Sequence, residues 1–234
     1  EIANYNNLFV VEDCAQALGT QYKNQTVGTF GDFGMLSFFA DKTITTGEGG
    51  MAVTNDKQLA DKMALLRSHG ITRDLGQMTQ EPDGPWYYEQ LELGFNYRMT
   101  DIHAALGLSQ LERLDEFVEQ RNELAQKYNV AFAGTPVQRQ VVPDTVYSAR
   151  HLYVIRVPMQ QHLSLFQILR KEGIGVNLHY MPVHLQPYYR NLGFQQGSLP
   201  ESEAYGQEAI SLPLYPGLSD KEQNRVILTL RDLI

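Results

Sequence analysis

The apolar and polar positions divide the chain into short apolar runs and longer amphipathic stretches. Leu8-Phe9-Val10-Val11, Met35 to Phe39 and Met51 to Thr54 are short apolar runs bounded by polar or glycine-rich sequence, the pattern of buried strands. Residues 21–32, punctuated by Gly28 and Gly31, read as loop and turn. TNDKQLADKMALLRSHG predicts a helix, with Asn55 as N-cap, Gln58 three residues on, Leu59, Met63 and Leu66 as its stripe, and Gly70 as its stop. Residues 71–90 contain Arg73, Asp74, Pro82, Gly84 and Pro85 and predict a long loop with an aromatic cluster, Trp86-Tyr87-Tyr88. Trp86 is expected to anchor packing or an interface rather than stack on a ligand ring. Thr100 then caps a long helix carrying Ile102, Leu106, Leu111, Leu114, Phe117, Leu124 and Tyr128, which is expected to cross from one lobe to another. Gly107 and Asp115 weaken it.

The second half changes character. Residues 133–147, with Pro136 and Pro143, read as a linker or edge. His151 to Val157 is an expected strand, Leu163 to Lys171 a helix stopped by Gly173, and Ile174 to His179 a strand. That strand–helix–strand unit predicts a small α/β lobe. Ser219 and Glu222 form a capping box for a last helix carrying Val226, Leu230 and Leu233. The expected fold class is α/β, with domains at 1–130 and 131–234.

Composition narrows the partners. A net charge of −8 argues against nucleic acid and against anionic membrane surfaces. Cys14 is the only cysteine, which precludes an internal disulfide and fits a cytoplasmic location. No apolar run is long enough for a transmembrane helix. The first residues enter a strand almost at once, without Met or a signal-type sequence, so the chain is expected to be the later part of a longer protein.

Candidate chemistry concentrates near Lys42. Of the six histidines, His179 and His184 lie in the segment HYMPVH, but no H-E-x-x-H or C-x-x-C spacing supports a metal site. G-x-S-x-G, Walker A and G-x-G-x-x-G are also absent. What remains is an acid ending one strand, Asp13, a hydroxyl ending the next, Ser37, and a lysine just beyond, Lys42, before Gly47, Gly49 and Gly50. Pyridoxal phosphate needs these three residue types. An amine joins its aldehyde, a carboxylate keeps its pyridine nitrogen protonated, and hydroxyl and backbone N–H groups hold its phosphate. Asp13 can equally cap a short helix over Ala15 to Leu18, with Gln16 closing a capping box.

The segment VEDCAQALGTQYKNQTVGTFGDFGMLSFFADKTITTGEGGMAVTND resembles the core of the DegT/DnrJ/EryC1/StrS sugar aminotransferases in the order and spacing of its E-D-x-A-x-A, S-F and K-x-[IL]-T-x-x-E-G-G blocks. LGFNYRMTDIHAALGLSQL, GIGVNLHYMPVHLQPYYR and AISLPLYPGLSDKEQ resemble later family blocks, so the likeness covers nearly the whole chain. WYYEQLELGFNYRMTDI with HYMPVHLQPYYR is most similar to the transaminases that make UDP-4-amino-4,6-dideoxy-N-acetyl-β-L-altrosamine. ADKTITTGEGG suits perosamine-type enzymes equally well.

The resemblance implies the later portion of a fold type I pyridoxal-phosphate transferase: a three-layer α/β/α large domain up to residue 130, then a small α/β domain. It implies Lys42 as the residue joined to the cofactor, Asp13 at its pyridine nitrogen, Gln16 over its phenolic oxygen and Ser37 at its phosphate. Asn96 would reach the phosphate in a neighbouring subunit, Arg98 would line that shared site, and His179 and His184 would approach the sugar or the amino donor. The implied activity moves an amino group from glutamate, leaving 2-oxoglutarate, to a nucleotide-linked 4-keto-6-deoxy sugar in a homodimer. Family members have an earlier segment with a glycine–threonine phosphate turn and an aromatic residue over the cofactor, which this chain lacks, and alanine is common where Cys14 stands. A dehydratase of this fold would carry histidine in place of Lys42, and a non-catalytic paralogue would not need Asp13, Ser37 and Lys42 intact.

Overall fold

The computed structural model describes all 234 residues. Two compact units divide it, Glu1–Leu114 and Asp115–Ile234. The division precedes the position near 130 expected from the sequence.

The first unit opens with a short helix α1 (Ile2–Tyr5) and strand β1 (Val11–Asp13). A hairpin follows, β2 (Gln21–Tyr22) and β3 (Gln25–Thr26), in the stretch read as loop. Strands β4 (Phe33–Ser37) and β5 (Gly50–Val53) complete a three-stranded sheet in the order β1-β4-β5. β1 runs parallel to β4, with Asp13 opposite Met35, and β5 runs antiparallel, with Gly50 opposite Ser37. Helix α2 (Lys57–Leu66) is capped by Asp56, not Asn55: its carboxylate accepts from the backbone N–H of Gln58 and Leu59.

The expected loop at 71–90 contains a two-stranded ribbon, β6 (Ile71–Thr72) and β7 (Glu89–Gln90). Glu89 organises its crossing segment by accepting from Thr79 N and Oγ1, Gln80 N and the Tyr87 hydroxyl. The backbone N–H of Thr79 heads the contacts that hold its carboxyl below the usual range. Trp86 lies mostly exposed, its ring so close to Gly84 that a Cβ there would meet Cζ2 at 2.4 Å.

Two sequence expectations change here. The runs expected as buried strands are largely exposed: Phe9 is 78% and Val11 66% accessible, only Val11 of the first run belongs to β1, and Met35, Phe39 and Met51 of the other two runs are exposed as well, because nothing in this unit packs over those side chains. Ala15 to Leu18 forms turns closed by Ala17 N to Cys14 O and Thr20 N to Ala17 O, not a helix.

The helix expected from 101 to 128 is two helices, α3 (Asp101–Leu111) and α4 (Leu114–Ala131). Arg113 N turns back to Gln110 O, closing α3 with a tightened turn. Asp115 and Glu116 then sit in the first turn of α4, where acids complement a helix N-terminus.

The second unit contains the large apolar core. After α4 come β8 (Gln138–Arg139), β9 (Val146–Tyr147), β10 (Tyr153–Arg156) and α5 (Met159–Lys171). A 3₁₀ turn at Val183–Leu185, α6 (Pro187–Asn191), α7 (Pro200–Glu208), β11 (Ala209–Leu212) and α8 (Asp220–Arg231) complete it. β10 lies between β11 and β8, antiparallel to both. The strand expected at 174–179 is reduced to a single bridge, Asn177 to Ser211. Tyr128, Phe132, Tyr153, Leu169, Ile210 and Leu230 are fully buried together. Three core polar groups are paired: Tyr128 donates to Pro213 O, Tyr153 to Asn129 Oδ1, and Gln223 to Leu124 O. Ser219 and Glu222 form the expected capping box of α8.

Candidate active site

Two of the expected residues stand at neighbouring strand ends. Because β1 and β4 are parallel and in register, Asp13 and Ser37 both finish at the carboxyl edge of the sheet, where open α/β sheets gather ligands. Asp13 Oδ1 accepts from Ala15 N at 3.1 Å, and Ser37 Oγ accepts from Phe39 N at 3.3 Å. Gln16 is exposed on the turn that follows Asp13.

Glu12, next to Asp13, does different work and was not singled out from the sequence. Its carboxylate accepts from the backbone N–H groups of Gly28, Phe30 and Gly31 at 2.7 to 2.8 Å. Burial would raise its pKa, but those three donors hold it below the ordinary value. Glu12 thus ties the 28–31 loop to β1.

Lys42 lies on a loop pinched at its neck. Phe38 N donates to Gly49 O and Thr46 N to Phe38 O, both at 2.9 Å. Inside the neck, Thr45 Oγ1 reaches Phe38 O, Gly47 N reaches Thr45 Oγ1, and Thr46 Oγ1 reaches Glu48 O. Phe38, Thr43, Ile44 and Thr46 are buried, so this loop is closely packed within an otherwise open unit. Gly47 takes a left-handed conformation, φ +81°, that favours glycine. Gly107 of α3 serves by close approach: a Cβ there would lie 2.9 Å from Thr46 Cγ2. The Lys42 side chain is only 13% exposed, and Nζ has one carboxylate near it, Asp41 Oδ1 at 3.5 Å.

The 95–98 segment is pinned to the end of α2 by His69 N to Phe95 O, Phe95 N to Leu66 O and Tyr97 N to Arg67 O. Phe95 and Tyr97 stack at 4.8 Å. Ser37 and Arg98 line one cleft of about 1190 Å³, with Met35, Met51, Met63 and Met99 among its walls. Asp13, Gln16, Lys42 and Asn96 do not line it. Asn96 is exposed beside it and bridges Ser68 through its backbone.

His179 and His184 lie in the second unit and are engaged separately. His184 is buried and its Nε2 donates to Glu203 Oε1 at 2.9 Å; the same oxygen accepts from Gly197 N at 2.7 Å. This pair fastens the 3₁₀ turn to α7, and the His184 bond leads the causes that keep the Glu203 carboxyl below its usual range. His179 is half-buried, with Nδ1 2.8 Å from Ser211 Oγ. No three His, Cys, Asp or Glu side chains gather as a metal site, and no helix is long and apolar enough to cross a membrane.

The mixed α/β fold matches solved sugar-aminotransferase structures of the fold type I class, and on it Asp13 and Ser37 end neighbouring strands with Lys42 shielded on the loop beyond. The chain belongs to the DegT/DnrJ/EryC1/StrS aminotransferase family, whose model matches residues 1–231. Among curated relatives, an uncharacterized protein of Methanocaldococcus jannaschii is 37% identical over all of this chain and 62% of its own length. The spore coat polysaccharide biosynthesis protein SpsC of Bacillus subtilis is 38% identical, over all of this chain and 61% of its own length. The chain thus spans about three fifths of these relatives.

Among solved structures, Spr1654 of Streptococcus pneumoniae in its PMP form is 35% identical with a TM-score of 0.89, covering 100% of this chain and 61% of that one. Helicobacter pylori PseC, an aminotransferase involved in the biosynthesis of pseudoaminic acid, is 30% identical with a TM-score of 0.89, covering 99% and 61%.

Proposed function

We propose that this chain is the later portion of a pyridoxal-phosphate-dependent aminotransferase that moves an amino group from glutamate to a nucleotide-linked 4-keto-6-deoxy sugar. The observation that carries the reading is Lys42, shielded on a pinched loop beyond the strand ends that bear Asp13 and Ser37. The residues fit the group: an amine for its aldehyde, an acid for its ring nitrogen and a hydroxyl for its phosphate. The first unit corresponds in this reading to part of the cofactor-binding large domain and the second to the small domain.

When bound, the cofactor supplies an electron sink for the bonds at the donor's α-carbon. The chain's own groups do the rest. Lys42 Nζ would be the base that takes the proton from the donor's α-carbon and the acid that returns a proton to the electron-rich system the cofactor supplies, and it would serve the keto-sugar with the same two roles in reverse order. Asp13 would hold the ring nitrogen protonated, Gln16 would cover the phenolic oxygen, and Ser37 Oγ would hold the phosphate. Arg98 offers a planar cation to an anionic group in the cleft it shares with Ser37.

Asn96 is assigned to the cofactor phosphate of a second subunit, making a homodimer with shared sites. The exposure of Leu93, Phe95 and Tyr97 on a segment pinned to α2 supports that role. The amino acceptor follows the relatives, PseC and SpsC, whose names place them in sugar or polysaccharide biosynthesis.

The test is Lys42→Ala in protein supplied with pyridoxal phosphate. The variant is expected to lose the cofactor's protein-bound absorbance and amine transfer from glutamate to a panel of nucleotide keto-sugars. Retention of both sinks the assignment.

A further inference from the structure

We propose that Asn177 and Ser211 are positioning residues that hold His179 as its Nδ1–H tautomer, so that Nε2 is offered as a hydrogen-bond acceptor. The ring is therefore suited to a hydroxyl or amine of the substrate and not to a phosphate or carboxylate.

The assignment follows from which atoms can donate. Leu178 N donates to Asn177 Oδ1 at 2.9 Å, which fixes the orientation of the Asn177 amide. The atom turned toward His179 is then Nδ2, a donor, 3.3 Å from Nε2. A donor facing Nε2 requires a lone pair there. The ring proton of the neutral imidazole therefore sits on Nδ1, which donates to Ser211 Oγ at 2.8 Å.

The partners are themselves held. Ser211 is buried in β11, and its backbone exchanges hydrogen bonds with Asn177: Ser211 N to Asn177 O at 2.8 Å and Asn177 N to Ser211 O at 3.3 Å. The Tyr205 hydroxyl donates to His179 O at 3.0 Å and fixes the ring's backbone. Gly206 lets Pro182 approach α7, since a Cβ there would meet Pro182 Cδ at 2.7 Å. The ring is thus oriented from three sides, while the Asn177 bond, at the long end of the hydrogen-bond range, can be shared with or replaced by a ligand donor.

His184, five positions along, has the opposite assignment: its Nε2 faces a carboxylate and carries the proton. The two histidines of HYMPVH are therefore not equivalent, and His179 is the one suited to accept from a ligand. Placing a substrate group at Nε2 rests on the function proposed above; the tautomer does not.

The experiment is nitrogen NMR of protein labelled at histidine, in mildly alkaline buffer where an ordinary imidazole is neutral. A His179→Gln variant assigns the resonances. The Nδ1–H pattern is expected for His179. Ser211→Ala should lower the Nδ1–H to Nε2–H ratio about fivefold, the worth of one net hydrogen bond, and Ser211→Thr should restore it. Asn177→Asp should draw the proton to Nε2. A dominant Nε2–H form in the parent protein, or a ratio unmoved by these variants with the fold intact by circular dichroism, overturns the tautomer assignment.

A UDP-hexose should then shift the Nε2 resonance and inorganic phosphate should not. The reverse, or no shift with either, overturns the substrate half. Loss of the aminotransferase reading through Lys42→Ala would leave the tautomer result standing, so the two failures are distinguishable.

Discussion

Replacing Glu12 with alanine tests how much of the 28–31 loop depends on one carboxylate. The substitution removes the acceptor for three backbone donors, Gly28, Phe30 and Gly31, at 2.7 to 2.8 Å. Each is a charge-assisted bond, but Glu12 is only half-buried and water can partly replace it. At about 1.5 kcal/mol for each of the three charge-assisted bonds the loss would total about 4.5 kcal/mol, and with water making up roughly half of it a loss of about 2–3 kcal/mol is expected at neutral pH. Glu12→Gln, which keeps one oxygen, should lose about half as much. The pH dependence has a definite sign. The folded carboxyl titrates below its unfolded counterpart, so its contribution is present above the ordinary carboxylate value and is lost as pH falls through the folded value. The stability gap between parent and Glu12→Ala should therefore be full at neutral pH and close in acid. Denaturant unfolding across that window measures the gap, and amide exchange at residues 28–31 localises it. An unchanged midpoint with unchanged exchange at those amides would refute the clamp, and a gap that persists unchanged into acid would refute its ionic character.

Gly107→Ala should depart from the usual helix rule. In an exposed helix the change gains up to about 1 kcal/mol. Here the new methyl meets buried Thr46, whose Oγ1 is tied to Glu48 O, so a net loss of about 1 kcal/mol is expected, with slower cofactor loading at Lys42. Tyr128→Phe should cost about 1 kcal/mol in denaturant unfolding by leaving Pro213 O unpaired in the core. Glu203→Gln should remove an acid-labile contribution: the depressed Glu203 carboxyl supports stability above its unfolded value and stops doing so as pH falls through the folded one. Thermal melts of parent and variant should therefore converge at low pH.

The fold was legible where pattern and local chemistry agreed. The capping box at Ser219 and Glu222 and the strands around Met35 and Met51 follow from spacing alone. Apolar periodicity misled at 101–128. It runs on through Glu112 and Arg113, but it does not register that Asp115 and Glu116 favour a new helix start. Leu8 to Val11 misled differently: composition states that a run is fit for burial, and the tertiary arrangement decides whether anything covers it.

The site was legible in its residue types, and one available signal went unused. Successive strand residues face opposite sides of a sheet, so the pair Glu12-Asp13 cannot present both carboxylates to one ligand. The register then makes the division of labour: Asp13 ends at the carboxyl edge beside Ser37, while Glu12 turns to the backbone of the 28–31 loop. The same logic separates His179 from His184, which proximity in sequence had grouped. Each ring's role is set by what faces its Nε2, an amide for one and a carboxylate for the other. Those partners are Asn177 in the first case and Glu203 in the second. Glu203 comes from a helix that the apolar pattern did not announce, so only the folded chain could assign the proton.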